Sequence, residues 1–248
     1  MSWAELSLLI AGAAAAGFVN GLAGFGTSLF SLGFWLLVLP PVEAVALAVA
    51  TAVVTGLQGV WVVRHQMGAA MGRLMRILLP ALLTLPLGVL ALAHIEPWVL
   101  RVLIAFFMVL YGLFFLTRRA LPNFTRPAKI VDVFVGALSG FLGGLAGLSG
   151  ALPAMWFALR PWARHETRAV LQPFNVVILL GTAIILAFNG VYSWDVLKAL
   201  GLALIVALPS AQIGIWVFGA ISDVQFRWLL ICLMFVAGLS LLFREFLY

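Results

Sequence analysis

Two glycine-rich stretches carry polar residues whose types and spacing suit the binding of an anion. The first reads "NGLAGFGTS" over residues 20–28, and the second reads "GGLAGLSGALP" over residues 143–153. Glycine lets a helix break and lets another group approach the backbone closely. A helix that starts again after such a break presents free backbone N–H groups and the positive end of its dipole. The two stretches therefore predict an anion-binding site at two helix restarts.

Amide, hydroxyl and glycine residues accompany both breaks and are the candidate substrate-binding residues. They are Asn20, Gly24, Gly26, Thr27 and Ser28 in the first stretch, and Gly147, Ser149 and Gly150 in the second. Pro153 falls in the first turn of the second restart, where its missing N–H is harmless. Small residues four apart are also common where membrane helices pack closely, so packing is the competing interpretation of the glycines.

The helix predicted after each break carries further polar residues. Thr51, Thr55 and Gln58 follow the first break at positions i, i+4 and i+7 of one helical face. Gln172 and Asn175 follow the second break, and at a separation of about 124 residues Asn175 pairs with Thr51. We assign Thr51, Gln58, Gln172 and Asn175 to substrate binding, although threonines often bond back to their own helix.

Arg168 enters the same helix one turn before Gln172. We interpret it as an anchor at the cytoplasmic membrane surface, with a role in guiding an anion inward as the alternative.

The composition identifies the surroundings of these residues. Hydrophobic residues make up 65% of the 248-residue chain and charged residues only 9%, with a mean hydropathy of +1.20. A soluble domain carries roughly 25% charged residues. Long apolar runs without period-two alternation predict an all-α, multi-pass membrane protein whose surroundings are a lipid bilayer. The net charge of +6 comes from basic residues between apolar runs, which indicates cytoplasmic loops rather than nucleic-acid binding.

The apolar runs and the glycine stretches together predict two repeats. Six runs are read as spans: 42–63, 77–93, 97–116, 169–189, 196–218 and 228–243. Regions 4–38 and 130–159 are each expected to form a hairpin of two short helical pieces around the glycines. Similar segments recur at separations of 123 to 126 residues. This duplication predicts a first repeat over 1–122 and a second over 123–248.

The distribution of positive charge predicts that the repeats are inverted. If both glycine regions are hairpins, eleven of the fourteen lysines and arginines lie on one side, against nine if each region crosses once. The positive-inside rule favours the hairpins. Segments 64–76, 117–129, 160–168 and 219–227 are then cytoplasmic, and both termini lie outside. The two breaks are expected to meet near the midplane.

The sequence offers little to an enzyme. Cys232 is the lone cysteine, and neither an HExxH motif nor a phosphate-binding GxxxxGK[ST] motif occurs. We expect no catalytic residues, no cofactor and no metal. A secondary transporter of a small anion is the favoured function. A non-transporting membrane subunit and, less favoured, an intramembrane enzyme are the alternatives, and a homodimer is among the oligomeric states left open.

Over nearly its whole length the chain resembles the sulfite exporter TauE/SafE family of bacterial membrane permeases. The resemblance rests on "GLAGFGTSLF" and "GLAGLSGALP", each opening a half, and on "VATAVVTGLQG" and "RAVLQPFN" after them. Typical members carry three glycines followed by a proline, whereas this chain has Ser149 at one glycine position and no proline after the first motif. The resemblance implies a bacterial inner-membrane permease that exports sulfite, sulfonates or related small sulfur anions.

Overall fold

The computed structural model describes residues 2–117, 124, 128–222, 225, 228 and 232. Within these residues the chain forms nine helices and no strand, which confirms the all-α fold class. The helices are α1 (Trp3–Ala23), α2 (Thr27–Trp35), α3 (Pro41–Val63), α4 (Met67–Leu92), α5 (Pro97–Thr117), α6 (Lys129–Ala146), α7 (Ala151–Phe157), α8 (Arg164–Phe188) and α9 (Trp194–Ala220). The span predicted over 228–243 falls almost wholly outside the described residues.

Local sequence signals explain several helix starts. Ser2 and Glu5 form a capping box, in which the Ser2 hydroxyl accepts from the backbone N–H of Glu5 and the Glu5 carboxylate accepts from that of Ser2. Pro41 and Pro97 each stand at the first position of a helix, where proline is favoured. Ser193 caps α9 by accepting from the N–H of Val196.

Seven of the described helices are long and apolar enough to cross a bilayer, namely α1, α3, α4, α5, α6, α8 and α9. The chain is therefore a multi-pass membrane protein. The expectation of two short pieces in each glycine region is wrong for the first piece of each. Helices α1 and α6 have 21 and 18 residues, whereas α2 and α7 have 9 and 7. Only the pieces after the breaks are too short to cross.

Left-handed backbone marks both breaks. Gly24 (φ 79°) ends α1, Gly26 (φ 92°) begins α2, and Gly147 (φ 67°) ends α6. These conformations require glycine because a Cβ makes them costly. Gly150 differs, since its φ of −87° is open to any residue and it needs to be small for another reason.

Two pairs of helices pack closely through glycines. Helix α1 runs parallel to α9, with Gly17 against the backbone of Ala207 and Gly21 against that of Ala211. Helix α6 runs parallel to α4 in the same way. Gly140 lies against the backbone of Ala81, and Gly144 lies against that of Leu85. Backbones approach this closely in membranes only where the side chain is small.

The two packed pairs correspond residue by residue. Gly17 and Gly21 of α1 correspond to Gly140 and Gly144 of α6 at a separation of 123, and the α4 partners correspond to the α9 partners at 126. A glycine on α9 and a glycine on α4 also correspond at a separation of 126 residues. Gly214 lies against the Phe18 carbonyl and the Leu22 nitrogen, and Gly88 lies against the Phe141 carbonyl and the Leu145 nitrogen. The same interface thus occurs twice.

Helices α3 and α8 form the centre of the bundle and run antiparallel. Gly56 contacts Val176 while Gly59 contacts Gln172, so residue numbers rise on α3 as they fall on α8. Of the candidate span in α8, 67% of residues are buried, against 22% in α9. Polar side chains on α3 and α8 therefore lie inside the protein, away from lipid.

Three of the segments predicted to be cytoplasmic meet at one end of the bundle. Arg73 forms an ion pair with Glu166 at 3.3 Å. The Phe124 N–H donates to the Leu159 carbonyl at 3.0 Å, and Arg160 donates to the Phe124 carbonyl at 3.0 Å. Segments 64–76, 117–129 and 160–168 are joined by these contacts.

Candidate anion-binding site

The two glycine breaks touch each other, although more than a hundred residues separate them. Gly147 lies against the Ser28 side chain at the start of α2 and against Val49 of α3. Gly150 lies against the ring and Cβ of Phe25, in the middle of the first break. A Cβ at either glycine would overlap these atoms, so the contact explains why residue 150 is small despite its ordinary backbone.

Asn175 of α8 connects the two breaks. Its side-chain oxygen accepts a hydrogen bond from the Ser149 hydroxyl, and its amide nitrogen lies 3.5 Å from the Gly24 carbonyl. Both Asn175 and Ser149 are buried. The Ser149 hydroxyl, predicted as a substrate ligand, is thus already a donor within the protein.

Gln172 lies one turn earlier on α8 and also reaches the first break. Its amide nitrogen donates to the Gly56 carbonyl at 3.1 Å, and its side chain packs directly on Gly59 and Gly24. Its oxygen is buried and has no hydrogen-bond partner among the described residues. Gln172 therefore keeps one polar atom free beside Gly24.

Asn20, in the last turn of α1, is tied to α3. Its amide nitrogen donates to the Thr55 hydroxyl at 2.6 Å and lies 3.3 Å from the Ala52 carbonyl. Thr55 in turn donates to the Thr51 carbonyl at 2.7 Å, the back-bonding expected of a threonine within a helix. The Asn20 oxygen has no partner in the described part of the chain.

A similar contact occurs in the second half, where the Thr182 hydroxyl lies 3.3 Å from the Gly143 carbonyl and 3.1 Å from that of Ile178. Thr55 and Thr182 differ by 127 residues. Residues of α3 and α8 that make similar contacts are therefore 127 residues apart. The sequence instead paired Thr51 with Asn175 at a separation of 124 residues.

Arg168 is the polar residue that sequence reasoning left out of the site. Only 3% of its surface is exposed, which does not fit an anchor at the membrane surface. One guanidinium nitrogen, Nη2, donates to the Gly21 carbonyl at 2.7 Å, and the guanidinium carbon lies 4.3 Å from the centroid of the Phe218 ring. Nε and Nη1 are buried without a partner, and no carboxylate among the described residues pairs with Arg168. Its side chain also approaches Gly24.

Several hydroxyl groups near the first break share this lack of partners. The buried hydroxyls of Thr27, Ser28 and Ser31 have no hydrogen-bond partner within the described residues; that of Thr51 also lacks one, but it lies on α3, outside the break. Thr27 and Ser28 open α2, so the positive end of that helix lies beside them. Helix α7 has seven residues and begins beside Ser149, whose hydroxyl is already used. Groups still able to bind a ligand thus gather at the first break.

The structure brings most of the predicted residues together. Gly24, Ser28, Gly147, Ser149, Gly150, Gln172 and Asn175 are connected by the contacts above. Asn20 joins them at Gly56, since both its amide nitrogen and that of Gln172 border this glycine. Thr27 and Gly26 adjoin them along the chain. Thr51 and Gln58 are reached by none of these contacts, although the side-chain oxygens of both are buried and have no partner within the described part of the chain.

A sequence signal for Arg168 did exist. Arg168, Gln172 and Asn175 follow at i, i+4 and i+7, the spacing of a single helical face. That face meets the first break at Gly21 and Gly24 and meets α3 at Gly56, as the hydrogen bonds of the three residues show. No group of three His, Cys, Asp or Glu side chains suited to a metal ion occurs among the described residues.

The fold defines a multi-pass helical membrane protein with buried polar groups where two broken helices meet. The family model of the sulfite exporter TauE/SafE matches residues 8–241, and the chain belongs to this family of membrane transporters. The resemblance that the glycine motifs indicated is thereby confirmed. Comparison with curated proteins and with solved structures gives no match.

Proposed function

We propose that this protein is a secondary transporter of small sulfur-containing anions, such as sulfite or sulfonates, with a single binding site at the first glycine break. The observation that carries the proposal is the buried guanidinium of Arg168, which no carboxylate among the described residues neutralises. Family membership supports the class of transported ion. The ligand groups are Arg168, the second N–H of the Gln172 amide nitrogen, the hydroxyls of Thr27 and Ser28, and the N–H groups that open α2.

A bound anion would solve the electrostatic problem that Arg168 poses. Burying a charge without a partner is strongly unfavourable, and charges within membrane segments mark ion pathways by default. An N–H on Nε or on Nη1, neither of which has a partner among the described residues, can donate a charge-assisted hydrogen bond to an oxygen of a sulfite or sulfonate group. One arginine matches a single negative charge, so we expect monoanions to bind better than dianions.

We further propose that the two halves are inverted repeats that alternate access to this site. The duplicated interface, α1 with α9 and α6 with α4, supports a duplication. The antiparallel course of α3 and α8, which hold corresponding places in the two halves, supports opposite orientations. The contacts that join segments 64–76, 117–129 and 160–168 support hairpins at both glycine regions. Transport then rocks one half against the other around the breaks.

The direction of driving force follows from the charge of the substrate. A negative-inside membrane potential favours export of a monoanion by about 2.3 kcal/mol per 100 mV. An exporter of this kind needs no coupled ion.

Counterflow into proteoliposomes that contain only the purified protein tests the proposed function. We expect labelled sulfite to exchange against unlabelled sulfite or a sulfonate inside, and to exchange poorly against carboxylates. A thermal-shift screen of sulfite, sulfonates, thiosulfate and carboxylates would identify the preferred substrate. Absence of counterflow with every anion that raises the melting temperature would favour the non-transporting subunit. Chemical conversion of the added anion would favour the intramembrane enzyme.

Cysteine labelling in intact cells tests the topology. In a Cys232→Ser background, His65→Cys and Ala163→Cys probe the two segments expected to be cytoplasmic, and Asp195→Cys probes the outside; all three positions are exposed. We expect a membrane-impermeant reagent to label position 195 alone. Labelling of position 163 without position 65 would contradict the inverted hairpins.

A further inference from the structure

A second concentration of positive charge lies away from the helix breaks, at the end of the bundle where α4 meets α6 and α7. It forms a cavity of about 220 Å³ whose lining includes Arg73, Arg76 and Arg160. Asp132 is the acidic residue in this lining. Three arginines therefore face one carboxylate, and the cavity has an excess of positive charge.

The contacts of these residues leave the excess charge available. Asp132 accepts a hydrogen bond from the Trp156 indole at 2.8 Å and pairs with Arg160 at 3.7 Å. Arg73 forms an ion pair with Glu166, and both side chains are about half exposed. Ion pairs this exposed to water hold their partners only weakly. Arg76 is exposed, and no hydrogen bond or ion pair ties it to a described residue.

An apolar groove of about 620 Å³ adjoins this basic cavity. Side chains of α4, α6 and α7 line it, among them Leu87, Leu138 and Met155. Trp156 also lines the groove, while its indole bonds to Asp132 and its ring lies 4.5 Å from the Arg160 guanidinium carbon. One tryptophan thus separates a positive cavity from an apolar groove.

We propose that this end of the bundle binds an anionic phospholipid, with the phosphate diester in the basic cavity and one acyl chain in the apolar groove. Arginine forks match the oxygens of a phosphate, and basic pockets between membrane helices suit anionic headgroups. Tryptophan favours the headgroup level, where one side is wet and the other apolar. A free oxyanion could occupy the basic cavity, but it would leave the apolar groove empty. The lipid fits better because its acyl chain fills the groove as well.

The lipid preference can be measured by native mass spectrometry and by thermal shift on the full chain in detergent. Phosphatidylglycerol and phosphatidylcholine with identical acyl chains are the probes. We expect the anionic lipid to bind better and to raise the melting temperature more. Arg76→Gln should lower its affinity about fivefold, the change expected for one basic residue at a membrane surface. Arg64→Gln is the matched control, because Arg64 is exposed but bonds to Trp61 outside the cavity. It should leave the affinity unchanged.

Two further probes separate the lipid from a free anion. Glycerophosphoglycerol lacks acyl chains, and inorganic phosphate lacks the glycerol as well; we expect both to stabilise the protein far less than the lipid does. Leu138→Asn in the groove should weaken the lipid and leave phosphate unaffected. Equal stabilisation by phosphate and lipid would overturn the proposal in favour of a free-anion site. Equal binding of the two lipids, or equal effects of Arg76→Gln and Arg64→Gln, would overturn it as well.

Discussion

Each of the two glycine breaks ends a long helix at a glycine with left-handed backbone, Gly24 or Gly147, but their polar groups are satisfied to different degrees. At the first break the hydroxyls of Thr27 and Ser28 have no partners among the described residues, and the side chain of Arg168, whose Nε and Nη1 also lack partners there, approaches Gly24. At the second break the Ser149 hydroxyl is bonded to Asn175. The helix that follows has nine residues in the first case and seven in the second.

If the two halves are repeats, as we propose, the difference means that both share a frame and that one of them provides the binding groups. A group already bonded inside the protein has less to gain from a ligand, whereas a buried group without a partner gains the whole interaction. The first break is therefore expected to bind the anion, and the second to support it by packing Gly147 and Gly150 against Ser28 and Phe25. Substitutions at the two breaks test this difference, and their expected effects decrease from the charge of Arg168 to single hydroxyl groups.

Removal of the Arg168 charge should have the largest effect. Truncating a buried, charged hydrogen-bonding group costs about 2–5 kcal/mol of binding, so Arg168→Gln should lower substrate affinity about a hundredfold or more. The melting temperature of the ligand-free protein should stay level or rise, because an unpaired buried charge is removed. Calorimetry and thermal melts measure the two quantities.

The matched control for this substitution is Arg64→Gln, which removes an exposed arginine that bonds to the Trp61 carbonyl. It should change neither quantity. A lower melting temperature with normal affinity in Arg168→Gln would return Arg168 to the role of a structural anchor.

Asn175→Leu should have the next largest effect, since Asn175 bridges the two breaks. The change leaves the Ser149 hydroxyl and the Gly24 carbonyl unpaired, at about 1–3 kcal/mol for each buried group. We expect transport to be abolished in protein that is less stable but still folded and inserted. Thr182→Val is the control, because Thr182 bonds to a carbonyl of the second half and to its own helix. It should reduce stability slightly and leave counterflow normal; equal loss in both variants would make Asn175 purely structural.

Helix breaks, spans and the polar face of α8 follow from local pattern, which is why the sequence predicts them. Gly24 and Gly147 are identified by their place between apolar runs, and Gln172 and Asn175 by their type at depth. The role of Arg168 is different. An arginine near the start of a membrane helix gives the same pattern whether it snorkels to the surface or turns inward. Only tertiary packing against Gly21 and Phe218 distinguishes the two.

Two other features also depend on packing between distant segments. The sequence cannot indicate that Ser149 is already bonded, because its partner Asn175 lies on another helix. The lengths of α1 and α6 differ from expectation because glycines within them are contact points for α9 and α4 rather than breaks. Composition alone does not separate a glycine that packs from one that ends a helix.

Alanine at Gly24 should lower affinity more than alanine at Gly147. Both glycines have positive φ, so both substitutions strain the backbone by about 1–3 kcal/mol. A Cβ at Gly24 also displaces Gln172 and approaches Arg168, whereas a Cβ at Gly147 displaces the single hydroxyl of Ser28, so we expect about a tenfold loss of affinity at Gly24 and a smaller one at Gly147. Gly190→Ala is the control for strain alone, because Gly190 has φ 72° and open space around it. An equal loss of affinity in all three would assign the effect to strain.

The smallest effect is expected from single hydroxyls, and it tests the comparison most directly. Ser28→Ala removes a buried hydroxyl that has no hydrogen-bond partner among the described residues, so it should lower substrate affinity about threefold to tenfold and leave the melting temperature unchanged. Ser149→Ala removes the donor to Asn175, so it should lower the melting temperature and leave affinity nearly unchanged. The two substitutions are chemically identical, and each serves as the control for the other. If both variants lost affinity equally, the two breaks would bind the anion together, and the asymmetry between them would concern stability alone.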